Sequence, residues 1–265
     1  MTARTHLQKT HRRIIQASLL LCALLLTVGV VHWNDVRDAD SVTERADTVH
    51  SIRLQRPGFP DIDLLRQSDE HWRIVEPCVL PVNGQRLAPL LDALSPTAHS
   101  YAAAEVDLET AGLSKPQAVV QLNQETLLIG QTDLSGERRY LQRGDRVQFV
   151  PEWVLSLVNG GLSALASLNV FSQVPDQLLV AGAERAALGP DQLDQWRSLT
   201  AQQIATWPLQ DAGEETAARS FIVDFGDRSV NMTLHHYAGY AAIHYENARC
   251  AYILPLSSLP DSAFP

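Results

Sequence analysis

From residue 51 onward the chain is written in short alternations of apolar and polar positions, and period-two alternation predicts strands with one buried face. The run "IDLLRQSDEHWRIVEP" predicts a hairpin turning near "QSDE", with Trp72 and Ile74 on its apolar face. The pattern then changes period. In "PVNGQRLAPLLDALS" Leu87, Leu90, Leu91 and Leu94 recur at helical spacing, so one side of a helix is apolar. A second short helix is expected over "SYAAAEVDLET", ended by Gly112, with Leu113 folding back over the last turn. Pro116 biases Lys115 toward an extended backbone, and the chain continues as "AVVQL", a turn at "NQE", and "TLLIG". Beyond it "RRYLQRGDRVQFVPEWVLSLV" predicts a hairpin turning at "RGD" and a short helix. In that setting Gly144 and Asp145 serve a tight turn rather than an adhesion motif. The glycine-interrupted segment "NGGLSALASLNVF" is expected to dock its apolar residues on the sheet.

The second half repeats this plan. Residues 118–129 and 221–232 align as two hairpins at an offset of 103, "VQFVP" and "AYILP" match at 104, and Leu91 and Leu94 match Trp196 and Leu199 at 105. The expected fold class is α+β, with two related units of antiparallel sheet, each with a helix packed on one face. The first unit covers 51–172 and the second, weaker one 173–265.

The N-terminal segment has a different pattern. Arg4, Lys9, Arg12 and Arg13 precede the uncharged run "IIQASLLLCALLLTVGVV", which His32 and Trp33 close. About 20 apolar residues span a bilayer core, so residues 14–33 are expected to form a transmembrane helix behind a tail at 1–13. Basic residues before it and Asp35, Asp38 and Asp40 after it place the tail in the cytoplasm and export the remainder. Thr27-Val28-Gly29 makes a poor signal-peptidase site, which favours an uncleaved anchor over a signal peptide. Leu21 before Cys22 argues against a lipoprotein. Residues 34–50 are polar, lack glycine and proline, and read as a stalk or linker.

The order of "W-x-I-x-x-P" at Trp72 to Pro77, "LLDAL" at 90–94, "GLSKP" at 112–116, "LLIG" at 127–130 and "RYLQRGDRVQFV" at 139–150, then a leucine-rich helix, resembles the bacterial family called domain of unknown function 4340. The resemblance covers roughly residues 51–170. It implies a membrane-anchored envelope protein, in a family where the domain is often repeated and some members are encoded beside transporter components of the gliding-motility type. An accessory role at the bacterial inner membrane, with the C-terminal domain in the periplasm, follows from it. It supplies no catalytic residues.

Composition and chemistry narrow this reading. With 45% hydrophobic and 19% charged residues the chain can bury a sizeable core. Its formal net charge of −9 becomes more acidic once the basic tail is set aside, which argues against nucleic acid or anionic lipid head groups as partners. Cys78 and Cys250 fall in the exported part, where a bridge between the halves or two buried thiols would both be compatible with the sequence. No G-x-S-x-G elbow, Walker loop, dinucleotide fingerprint or C-x-x-C pair occurs. Asp61, Asp63, Asp69 and Glu70 are acidic neighbours beside a hairpin, without a visible partner set. The densest constellation is His235, His236 and His244 with Tyr237, Tyr240 and Tyr245, types that can ligate metal. Neighbours on a strand point to opposite faces, so His235 and His236 do not share an ion, and a fold at Ala238 and Gly239 sets His244 near Thr233. No catalytic, cofactor or metal residue is therefore assigned. Two function classes remain: an accessory module binding another envelope or transporter protein, and an envelope hydrolase or metal-dependent enzyme using the His/Tyr cluster. A cleft gathering His236, His244 and a carboxylate would favour the second, and an apolar groove without titratable groups the first.

Overall fold

The computed structural model describes residues 48–68, 70–181, 186–210 and 212–263. The expected tail, transmembrane helix and most of the stalk lie outside them. Among the described residues no helix is long and apolar enough to cross a membrane.

The first sheet is built almost wholly from consecutive hairpins. Strands β1 (Ser51–Gln55), β2 (Ile62–Arg66), β3 (Trp72–Glu76) and β4 (Leu80–Pro81) are followed by helix α1 (Gly84–Leu94). Then come β5 (Tyr101–Ala102), β6 (Ala118–Leu122), β7 (Glu125–Thr132), β8 (Arg138–Arg143) and β9 (Arg146–Pro151). They form one antiparallel sheet in the order β4-β3-β2-β1-β6-β7-β8-β9-β5. Alternation sends Ile52, Leu54, Ile62, Leu64, Val120, Ile129 and Leu141 to one face, where all are buried. Asn83 caps α1 by accepting from the Gln85 amide at 3.1 Å, and Leu87, Leu90, Leu91 and Leu94 are its buried stripe. Burying each such leucine stabilises the fold by roughly 1.5–3 kcal/mol.

The turn residues explain the register. Asn123 adopts φ +55 between β6 and β7, and its Oδ1 accepts from the amides of His50 and Ser51, fastening the incoming chain to the hairpin. Gly144, at φ +56, and Asp145 separate the paired Arg143 and Arg146, as the expected turn requires.

The helix expected at 100–111 is not formed. Tyr101 and Ala102 instead pair with Val147 and Arg146 on β9, and a single 3-10 turn follows at Ala103–Glu105. Its alanines present no apolar stripe to the core, and the open edge of β9 offers hydrogen bonds instead. A second, separate turn follows, in which the Ala111 amide donates to the Asp107 carbonyl at 2.9 Å. Asp107 accepts from the amides of Glu109 and Thr110, and Gly112 ends the turn at φ +69. The Leu113 amide reaches back to the Leu108 carbonyl at 2.8 Å, the fold-back expected behind the glycine.

Two short helices, α2 (Trp153–Asn159) and α3 (Gly161–Leu165), lead out of this sheet, broken by Gly161 at φ +63. Strands β10 (Gln177–Val180) and β11 (Ala186–Ala187), helix α4 (Pro190–Arg197), and strands β12 (Gln203–Thr206), β13 (Glu215–Asp224), β14 (Ser229–Tyr237), β15 (Ala241–Tyr245) and β16 (Cys250–Leu254) complete the fold. The second sheet is antiparallel in the order β11-β10-β13-β14-β15-β16-β12. That order copies seven strands of the first sheet, β2-β1-β6-β7-β8-β9-β5, one for one. In both, the helix falls between the same two strands of the chain. The first sheet differs by an additional edge pair, β3 and β4.

Both sheets contribute to one continuous apolar core, which joins Leu54, Leu64 and Leu90 to Phe221, Leu234 and Leu254. Trp196 of α4 is fully buried, with its ring 4.8 Å from that of Phe221.

Candidate functional site

The additional edge pair β3–β4 and the loop within it border an opening in the surface. The loop after β3, "PCVL", leaves Val79 exposed at 62% while burying Cys78 and Leu80. Cys78 is disulfide-bonded to Cys250, the first residue of β16, with Cα atoms 5.9 Å apart. Of the two alternatives open in the sequence, the bridge is the one formed. Beside it Arg249 Nη2 donates to Glu76 Oε2 at 2.8 Å, an exposed pair that adds little stability.

The edge pair and the second sheet enclose a cleft of about 290 Å³. Strand alternation places Val230, Tyr245 and Tyr252 on the core-facing side of their sheet, and these residues line it with Val170, Phe225, Leu80 and the disulfide. Arg73, Arg228 and Glu246 supply its charged groups. Each is set differently. Arg228 donates to Gln173 Oε1 at 3.1 Å and lies over the Phe225 ring, while Glu246 accepts from Asn231 Nδ2 at 2.6 Å. The exposed Arg73 guanidinium makes no hydrogen bond or ion pair among the described residues.

The two tyrosines differ as well. Tyr245 donates its hydroxyl to the Val170 carbonyl at 3.0 Å, and burial pushes its pKa up. Tyr252 is only 6% exposed and burial pushes its pKa up to about 12, yet its hydroxyl has no hydrogen-bond partner among the described residues. Both stay neutral donors at ordinary pH.

The histidines lie elsewhere and do not converge. Thr233 pairs with His244 across β14 and β15, the register expected from the turn at Ala238 and Gly239. His235 and His244 share the outer face, with rings 6.5 Å apart and each 4.6 Å from Trp207. His235 Nδ1 donates to Glu215 Oε2 at 3.0 Å, and His244 Nε2 donates to the Ala248 carbonyl at 2.8 Å. His236 projects to the opposite face, where its Nδ1 lies 2.6 Å from Thr216 Oγ1. Tyr237 stacks on Tyr240, which donates to the Ala212 carbonyl. These groups make an aromatic covering of the sheet, from which Tyr245 departs to the cleft. Among the described residues no group of three or more His, Cys, Asp or Glu side chains could hold a metal ion.

The acidic residues near the first hairpin are equally dispersed. Asp63 is held by Arg53 in a two-pronged pair at 2.7 and 2.8 Å, Asp61 accepts from Gln55, and Glu70 lies 3.9 Å from Arg66. Asp69 is outside the described residues. Sequence reasoning thus named Tyr245, Cys78 and Cys250 but missed Arg73, Arg228 and Tyr252 as members of one site. No local spacing marks them, because strands distant in the chain bring them together.

Comparison of the chain with family models, with curated proteins and with solved structures gives no match.

Proposed function

We propose that the protein is a single-pass, membrane-anchored accessory module of a bacterial envelope or transport complex, and that its exported α+β domain binds through the cleft beside the disulfide. The observation that carries this reading is the cleft itself, with an apolar floor, exposed arginines at its edge and a tyrosine hydroxyl that has no protein partner. It is not the groove free of titratable groups that would have suited this class best, since arginines, tyrosines and a glutamate line it. It also gathers neither His236 nor His244, the residues that the enzymatic alternative requires. The Cys78–Cys250 bridge suits an oxidising compartment such as the periplasm and supports export of everything after residues 14–33. The resemblance to the domain of unknown function 4340 family points the same way.

The matching strand orders support a further step, that the two sheets descend from one duplicated unit. In that reading the pair β3–β4 is the later insertion that broke the symmetry, and the cleft arose where the halves ceased to be alike.

The test is crosslinking in cells followed by affinity purification of the anchored chain, compared with a form lacking residues 1–33. Enrichment of one envelope or transporter protein with the anchored form alone is expected. Recovery of nothing above background from either form would remove the main support for an accessory role.

A further inference from the structure

We infer that the cleft is a site for a small monocarboxylate with an apolar body, an inference that rests on the reading of the cleft as a binding site. Tyr252 is the first ground. Its ring is buried, but its hydroxyl has no protein hydrogen-bond partner and is not among the fully enclosed polar atoms, so it meets solvent in the cleft. That hydroxyl can donate to an acceptor bound there in place of water. Arg73 is the second, an exposed guanidinium at the edge of the cleft without an ion pair or hydrogen bond among the described residues, in a protein whose acidic groups outnumber its basic ones. Arg228 adds another, fixed over Phe225 by the ring and by Gln173.

Guanidinium groups and a phenol together recognise a planar, two-oxygen anion. Glu246 also lines the cleft and repels negative charge, which disfavours a dianion such as phosphate and leaves a carboxylate. Size limits the remainder. A cleft of about 290 Å³ is at the small end of ligand sites, room for one ring or a short acyl chain against Val170, Val230 and Phe225. The lining groups thus select the head group, and the size of the cleft selects the body.

The probe is 3-phenylpropionate, with 3-phenylpropanol and 3-phenylpropylamine as neutral and cationic counterparts of the same apolar size. Binding is measured by calorimetry on the full chain in lipid nanodiscs, with empty nanodiscs as the blank. The acid is expected to bind with a Kd of about 1 mM or tighter, and the alcohol and amine about tenfold more weakly or not at all. Arg73→Ala combined with Arg228→Ala should weaken the acid by at least about tenfold, and Tyr252→Phe by several-fold without lowering the melting temperature. No heat above the blank, equal binding of acid and alcohol, or unchanged affinity in both variants would overturn the inference. The two proposals fail separately. A partner retained on crosslinking by a chain that ignores the acid leaves the accessory reading standing, whereas acid binding without any partner leaves only the ligand site.

Discussion

Tyr252 shows how far one side chain can be read. Its place in "AYILP" identifies it as a strand residue, and the alternation puts it on the apolar face, but no sequence pattern says that its hydroxyl reaches a cleft without a protein partner. That follows from which strands surround it. The consequence for pH has a definite sign. Burial raises the pKa of Tyr252 in the folded state from the ordinary value near 10 to about 12, so the folded protein holds the proton more tightly than the unfolded chain. The stability this residue contributes is complete below about pH 10 and is lost as pH rises through about 12. Urea unfolding followed between pH 8 and 12 should show a flat region and then a decline, of which about 2–3 kcal/mol is due to Tyr252. Tyr252→Phe should make the decline shallower without abolishing it, because Tyr245 is shifted in the same direction. An unchanged slope would mean that solvent at the Tyr252 hydroxyl offsets the burial of its ring. Other residues declared themselves earlier: Gly112 and Gly144 were legible as turn formers from the helix and strand patterns around them, and both have positive φ.

Among elements, the pair β3–β4 contributes most to the site and was least legible. The hairpin β2–β3 was evident in the sequence, but β4 is two residues long, and nothing in "EPCVLP" states that it reaches the other sheet. The cysteines could be counted but not paired, since a bridge depends on a distance that only the tertiary fold sets. The failed helix at 100–111 teaches the complementary point. Alanine content is a weak prior, and an unpaired strand edge nearby outweighed it. The bridge closes a loop between positions 172 apart, and for loops of that length restricting the unfolded chain stabilises the fold by roughly 2–5 kcal/mol. The double variant Cys78→Ala with Cys250→Ala should lose that amount in chemical denaturation under non-reducing conditions. A loss below about 1 kcal/mol would show that the surrounding packing already holds the edge pair in place.

At the scale of the whole molecule, the offsets of 103 to 105 anticipated the matching strand orders, because the hairpins and the helix recur at that spacing. The sequence could not show that the halves share one core. Repeats that bury their faces separately would read the same. Here the linking segment belongs to both halves. The Ile204 amide donates to Ser163 Oγ at 2.9 Å, the Val170 amide to the Leu199 carbonyl at 3.1 Å, and the Ala201 amide to the Leu168 carbonyl at 2.8 Å. Val82 bridges Ala166, so the entry to α1 is also tied to this segment. Separating the halves near residue 172 would expose apolar surface on both and cut hydrogen bonds that neither half can replace. Calorimetry of the exported region should therefore give one transition whose van't Hoff and calorimetric enthalpies agree, and chains covering 51–172 or 173–265 alone should show no cooperative melt. Two resolved transitions, or a half that melts cooperatively by itself, would mean that each sheet carries a sufficient core. The two sheets would then be two stable domains rather than parts of one shared core.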